Sequence, residues 1–204
     1  QIQTINAGIK TNETFYNLTL NTSNGAQGVN LVDGYELTVA NLLSLQSGDM
    51  RLTSEAQIVQ SGLVANPTGG TGQIYRDQQG TRSSFNYNYW SSPVSSNGID
   101  YTISEVLRDG ADVTTNPFSP TLINFGSGPY FADGALSNPI NISDYWLFKY
   151  TSVSTVYAGW QYAGTTGNIK VGEGFTMKGT DGTANISDTQ NYVFAGKPNN
   201  GNIL

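Results

Sequence analysis

Aromatic side chains flanked by amides are the first groups in this sequence whose types and spacing could do chemistry. The run Phe85-Asn86-Tyr87-Asn88-Tyr89-Trp90 alternates the two kinds of residue almost strictly. Successive side chains of a strand point to opposite faces, so Phe85, Tyr87 and Tyr89 share one face and Asn86, Asn88 and Trp90 the other. Aromatic faces beside amide donors suit sugar rings, which makes Tyr87, Tyr89 and Trp90 the candidate glycan-binding residues. The competing reading is packing, because aromatic residues fill pleated, half-buried surfaces well whatever the function. Trp146 and Trp160, with Tyr145, Tyr150, Tyr157 and Tyr162, pose the same choice. On a strand, Tyr145 and Trp146 would face opposite sides, so at most one meets solvent if the other is core.

Carboxylates are the second candidate chemistry. Asp109-Gly110-Ala111-Asp112, Asp133-Gly134 and Asp181-Gly182 with Asn185 could offer oxygen ligands to calcium. None has the spacing of an EF-hand loop, and Asp-Gly is an ordinary turn dipeptide, so no cofactor is expected. Fifteen acidic residues leave room for a pair of the kind that hydrolyses glycosidic bonds, but no motif selects one. The chain contains neither histidine nor cysteine. That excludes a Ser-His-Asp triad, His-ligated metals, thiolate catalysis and zinc-thiolate sites within these residues. No catalytic residue is assigned, and the chain is read as a non-enzyme. Asn-x-Ser/Thr triplets at Asn12, Asn17, Asn21, Asn141 and Asn185 match the N-glycosylation pattern, which a chain this rich in Asn, Ser and Thr produces by chance.

Charged residues make up only 12% of the 204 residues, well below the roughly one quarter of an average soluble domain. Gly, Asn, Ser and Thr replace them, as in many extracellular β proteins. The net charge of −6, with nine scattered Lys and Arg, argues against nucleic-acid binding, which needs a basic stripe. No apolar run is long enough for a transmembrane helix, so membrane insertion is not expected. The ends, Gln1-Ile2-Gln3 and Asn202-Ile203-Leu204, read as internal to a longer polypeptide or as processed termini.

The elements that must position these residues are short strands. Period-two runs such as Tyr16-Leu18-Leu20, Tyr35-Leu37-Val39, Leu43-Leu45 and Met50-Leu52 are bounded by turns at Asn24-Gly25, Asp33-Gly34 and Ser47-Gly48. Gly34, Gly48 and Gly62 recur at intervals of fourteen, and Gln46-Ser47-Gly48 returns as Gln60-Ser61-Gly62. This is expected of a short β-solenoid or a meander over residues 1–66. The stretch Asn66-Pro67-Thr68-Gly69-Gly70-Thr71-Gly72 reads as a boundary loop. Residues 67–204 then predict a β-sandwich or jelly roll, with strands at 73–76, 84–91, 121–125, 145–150, 155–161, 168–171, 174–178 and 191–195. Thr102-Ile103-Ser104-Glu105 predicts a capping box opening one short helix that Gly110 ends. The fold class is therefore all-β with one short helix.

Four strings carry a resemblance. They are Phe85 to Val94 (FNYNYWSSPV), Tyr145 to Tyr150 (YWLFKY), Val171 to Gly179 (VGEGFTMKG) and Asn191 to Gly201 (NYVFAGKPNNG). In that order they resemble a β-rich module of large, adhesin-like surface and secreted proteins of gliding, flavobacteria-like bacteria. Such proteins typically leave the cell by the type IX secretion system. The resemblance implies an extracellular or cell-surface location and supplies no catalytic residues.

Three functions follow as expectations. The leading one is a non-catalytic structural or adhesive module of an extracellular bacterial protein, partnered by other modules or by copies of itself in a multi-module or filamentous assembly. A carbohydrate-binding module with glycans as partners is the alternative, and a carboxylate-dependent glycoside hydrolase or lyase the third.

Overall fold

The computed structural model describes residues 3–5, 12–22, 28–96, 98–111, 118–131, 138–151, 159–180 and 187–201. These residues are mostly strand, in several sheets, with one short α-helix. The Asn24-Gly25 turn, Asp112, Asp133-Gly134, Tyr157, Asp181-Gly182, Asn185, Ile2 and Ile203 lie outside the described residues. So does most of the strand expected at 155–161.

The chain begins with β1 (Gln3–Ile5), β2 (Asn12–Asn21), β3 (Val29–Leu31), β4 (Glu36–Ser47), β5 (Met50–Leu52), β6 (Gln57–Gln60) and β7 (Ile74–Thr81). β1, β3, β5 and the start of β7 stack in parallel, and β2, β4 and β6 form a second parallel stack. A meander would pair its strands antiparallel, so this region is a solenoid of strand–turn–strand rungs. Its interior is aliphatic: Leu31, Leu37, Val39, Leu43, Leu45, Met50, Leu52 and Ile74 are all buried. Outward residues are joined from rung to rung by polar side chains. Asn41 donates to Asn17 at 2.8 Å, Ser47 to Asn21 at 2.9 Å and Gln57 to Glu36 at 2.9 Å.

The interval of fourteen residues is not the rung. Val29 pairs with Met50 and Met50 with Ile74, so successive rungs lie 21 and 24 residues apart. Gly34 and Gly48 occupy two different corners of one rung, each with positive φ (72° and 84°), and their spacing measures the strand between corners. Equivalent corners sit very close together. A Cβ at Gly72 would lie 2.4 Å from the Gly48 carbonyl oxygen, so only glycine fits.

The rest comprises β8 (Tyr87–Trp90), β9 (Val94–Ser95), β10 (Asp100–Tyr101), α1 (Ile103–Val106), β11 (Leu107–Asp109), β12 (Thr121–Leu122), β13 (Asn124–Gly126), β14 (Asn141–Ser143), β15 (Phe148–Tyr150), β16 (Trp160–Tyr162), β17 (Ile169–Lys170), β18 (Phe175–Lys178) and β19 (Thr189–Pro198). β7 carries the solenoid into this region. Its start completes a parallel rung, while its whole length pairs antiparallel with β19, from Ile74 opposite Gly196 to Thr81 opposite Thr189. One sheet, ordered β1-β3-β5-β7-β19-β11-β12, therefore runs through the 61–73 loop without a break. Lys197 on β19 fastens that loop, its ammonium donating to the carbonyls of Gly70 (3.0 Å), Gly72 and, more weakly, Leu45 (3.5 Å). A buried ion pair between Arg51 and Asp77, 2.8 Å long, ties β5 to β7.

A four-stranded antiparallel sheet, ordered β16-β15-β18-β8, lies against the long sheet as the second layer of a sandwich. Trp90 and Phe175 from its inner face pack edge-on against Tyr192 and Phe194 of β19 at centroid separations of 5.0–6.4 Å. Gly80 on β7 makes room for this, since a Cβ there would lie 2.4 Å from the Trp90 ring.

The helix is shorter than its sequence signals imply. Glu105 accepts the Thr102 amide (3.2 Å) and the Thr102 hydroxyl (2.9 Å), and Ile103 and Val106 are buried. The chain leaves the helix at Leu107, not at Gly110, because Leu107–Asp109 is recruited as a strand alongside β19. Tertiary pairing overrides the local continuation of the helix.

Candidate functional site: an aromatic sheet face

Strand alternation sorts every residue of the four-stranded sheet onto one of two faces. Register places Tyr89 beside Thr176, Thr176 beside Phe148 and Phe148 beside Tyr162. Tyr87 lies beside Lys178, and Tyr150 beside Trp160. These eight side chains share the outer face. Trp146 joins them from the turn before β15, its indole N–H held by the Pro129 carbonyl at 3.0 Å.

The rings touch one another in sequence across the face. Tyr87 meets Trp146 and Tyr89 meets Trp160, both at 6.2 Å between centroids; Tyr150 meets Trp160 at 5.2 Å and Phe148 meets Tyr162 at 5.7 Å. Tyr87, Tyr89, Trp146, Phe148, Trp160 and Thr176 together line an open cleft of about 260 Å³. Tyr89 is 67% exposed and Tyr162 59%, so this surface faces solvent. Interplanar angles of 47° to 79° make the cleft rugged rather than flat.

Of the three candidate glycan residues, Tyr87 and Tyr89 come together on this face. Trp90 does not. It projects from the other side of β8 into the packing between the two sheets, against Phe175, Tyr192 and Phe194. The alternation that separates it from Tyr87 and Tyr89 is the same one read in the sequence, so the three cannot form one platform. Tyr145 and Trp146 also depart from expectation. Residues Asp144–Trp146 form a 3-10 turn closed by the Leu147 amide on the Asp144 carbonyl at 3.1 Å. The two rings therefore lie on the same side, in edge contact at 4.7 Å.

Trp146, Phe148, Trp160, Thr176 and Lys178 complete the cleft, and no single string of the sequence contains them. Their signal is parity: Phe148 with Tyr150, and Trp160 with Tyr162, are aromatic pairs two apart on strands. Lys178 sits at one end, its ammonium 3.8 Å from the Trp146 ring centroid and 5.1 Å from that of Tyr87. Burial against these rings pushes it below the usual lysine range. At the other end the Tyr162 phenol is pushed up, first by desolvation and then by the Asp144 carboxylate. The cleft thus has a cationic end at Lys178.

Compared with known protein families, with curated proteins and with solved structures, the chain finds no match in any of the three.

Four of the described carboxylates are engaged elsewhere. Asp77 pairs with Arg51, and buried Asp109 accepts from the amides of Ala111 (2.8 Å) and Ile140 (2.9 Å). Asp49 accepts the Gln73 amide at 2.8 Å, and Glu173 accepts the Lys170 amide at 3.0 Å. Among the described residues no group of three acidic side chains is placed to hold a metal ion. Asn17, Asn21 and Asn141, three of the glycosylation-type triplets, spend their side-chain oxygens on neighbouring strands. A larger groove of about 540 Å³ runs where the solenoid meets the sandwich, past Ile58, Arg76, Pro93, Val171 and Asn199. The Arg76 guanidinium there already donates to the Ser54 carbonyl.

Proposed function

We propose that this chain is a non-catalytic adhesive module of an extracellular, cell-surface bacterial protein, and that it adheres by binding glycans on the outer aromatic face of the four-stranded sheet. The observation that carries the reading is the contiguous set of solvent-facing aromatic rings there. Exposed, contiguous apolar patches on soluble proteins mark interaction sites. Here the patch is built of Tyr and Trp, which offer a stacking face together with a polar edge. The resemblance to surface modules of gliding bacteria, and the low charge and high amide content, support an extracellular setting. Rings set at 47° to 79° to one another favour a single glycan chain lying in the cleft over a flat crystalline surface.

Affinity electrophoresis and calorimetry against a panel of soluble polysaccharides test this directly. Binding is expected with Kd in the micromolar to millimolar range, and Trp160→Ala weakens it at least about tenfold. The same variant leaves the unfolding midpoint nearly unchanged. Absence of binding to every glycan in the panel, or binding unaffected by Trp160→Ala and Tyr89→Ala, overturns the reading.

A second reading, assembly into a longer fibre, draws on the open side of the solenoid. Among the described residues β1 pairs only with β3 and β2 only with β4, and Tyr16 on β2 is 71% exposed. An unpaired edge of this kind is a template for another strand. Light scattering that finds a monomer at all concentrations removes this reading and leaves the first intact.

A further inference from the structure

We propose that the glycan taken by the aromatic face is an acidic one, with a sugar ring against the Tyr89–Trp160 part of the cleft and its carboxylate or sulfate on the Lys178 ammonium. The inference rests on the glycan-binding reading and specifies its ligand class. Its starting point is the way cations are used across the molecule. Arg51 donates to Asp77, and Arg76 to the Ser54 carbonyl. Arg108 donates to the carbonyls of Ser104, Glu105 and Leu107. Lys149 donates to the Asn168 carbonyl at 2.6 Å, and Lys197 to the carbonyls of the 70–72 loop. Lys178 is half-buried, yet among the described residues no oxygen accepts a hydrogen bond from it. Two aromatic rings are its only described partners.

The Lys178 N–H groups are therefore open to water or to an arriving ligand. A cation–π contact at a partly exposed site contributes about 0.5–1 kcal/mol and satisfies none of the three N–H donors. The desolvation that lowers the lysine's proton affinity is thus only partly offset. An anion arriving at the Trp146 end would accept charge-assisted hydrogen bonds from it, which are roughly twice as strong as neutral ones.

The rest of the cleft fixes the orientation. Its lining is otherwise uncharged, so the anion goes to Lys178 and the uncharged part of the ring to Tyr89 and Trp160. The chain's net charge of −6 opposes a polyanion only at long range. At physiological salt such fields are screened beyond about 8 Å, and the ammonium at the cleft dominates.

Polygalacturonate, fully methyl-esterified polygalacturonate and dextran sulfate are the probes, since esterification removes the charge and keeps the sugar backbone. The unmodified protein is expected to bind polygalacturonate about tenfold more tightly than the ester, with affinity falling as salt rises. Lys178→Met abolishes that preference and the salt dependence, Lys178→Arg keeps both, and Trp160→Ala weakens the acid and the ester alike. Thermal unfolding of the Lys178→Met variant checks that the sheet is intact. If only dextran sulfate binds in a Lys178-dependent way, the anion is a sulfate and the inference stands in that form. If acid and ester bind equally, the acidic class is wrong while the glycan reading survives. If none of these probes nor any neutral glycan binds, both fall.

Discussion

The solenoid and the four-stranded sheet both turn strand faces to solvent, and they furnish those faces in opposite ways. Outward positions of β4 and its neighbours carry Glu36, Thr38, Asn41, Asn17 and Gln57; Asn41–Asn17 and Gln57–Glu36 hydrogen bonds cross rungs, and Thr38 donates to Glu36 along β4. Outward positions of the sheet carry Tyr87, Tyr89, Phe148, Tyr150, Trp160 and Tyr162. Inward, the two regions are alike in principle, since each buries a dry layer: aliphatic in the solenoid, aromatic between the sheets. The solenoid demonstrates that this chain can cover a strand face with amides and hydroxyls at no loss of order. Tyr16 of β2 is exposed as well, but among the described residues it is the sheet that gathers exposed aromatic rings into one contiguous face.

Replacing one tryptophan from each face gives the strongest way to break this comparison. Trp90→Ala empties the space between Phe175, Tyr192 and Phe194 and should cost about 3–5 kcal/mol, read as a shift of the denaturant midpoint. Trp160→Ala should cost under about 1 kcal/mol, because its loss opens no buried cavity. Equal destabilisation by both would mean that the outer rings hold the sheet together, and the functional argument would lose its footing.

Lys197→Met has the next largest effect and asks whether the two regions stand or fall together. The ammonium gathers carbonyls at the corner of the solenoid from a strand of the sandwich sheet. Removing it leaves buried acceptors unpartnered, at a cost of about 2–3 kcal/mol. Because β7 and β19 pair along their whole length, unfolding should remain a single transition in the variant. Two separated transitions would sharpen the comparison into one between independent domains.

The all-β class, most strand positions and the facing of residues 87–90 were legible because they depend on local alternation, whereas Phe85 and Asn86, expected on the same strand, lie in the turn before β8. The parallel stacking of rungs was only half legible. Gly34 and Gly48 mark corners, but Gly62 packs against Ala40 and Asn41 midway along β4, and the true offsets of 21 and 24 residues emerge only from pairing. The end of the helix was misplaced for a related reason, since β19 claims Leu107–Asp109 from a distance. Of the aromatic cleft, Tyr87 and Tyr89 were legible as candidates, while Trp146 and Trp160 posed only an open choice between packing and binding. The assembly of the cleft depends on the order β16-β15-β18-β8, which joins residues almost ninety positions apart and leaves no trace in the spacing of any one string.

The smallest expected effect sharpens the comparison from the buried side. Tyr101 packs edge-on to Phe175, its hydroxyl donating to the Glu173 carbonyl at 3.0 Å and accepting the Ser92 amide at 3.3 Å. Desolvation pushes this phenol up to about 12, and does the same for Tyr75, where Asp49 adds to it. Below pH of about 10, the ordinary tyrosine value, both phenols are protonated in the folded and unfolded chains and their contribution is complete. Between there and about 12 the unfolded chain ionises first and binds fewer protons, so stability falls as pH rises. Lys197, held below the usual lysine range by desolvation, tilts the other way, and the slope attributable to one phenol is therefore read as a difference between variants. Tyr101→Phe should cost about 1 kcal/mol at neutral pH, from the two polar groups it leaves behind. It should also lose stability less steeply than the parent between pH 10 and 12, so that the two denaturation curves converge in alkali. Parallel curves would mean that water reaches the Tyr101 hydroxyl, and the contrast between a dry inner aromatic layer and a wet outer one would have to be redrawn.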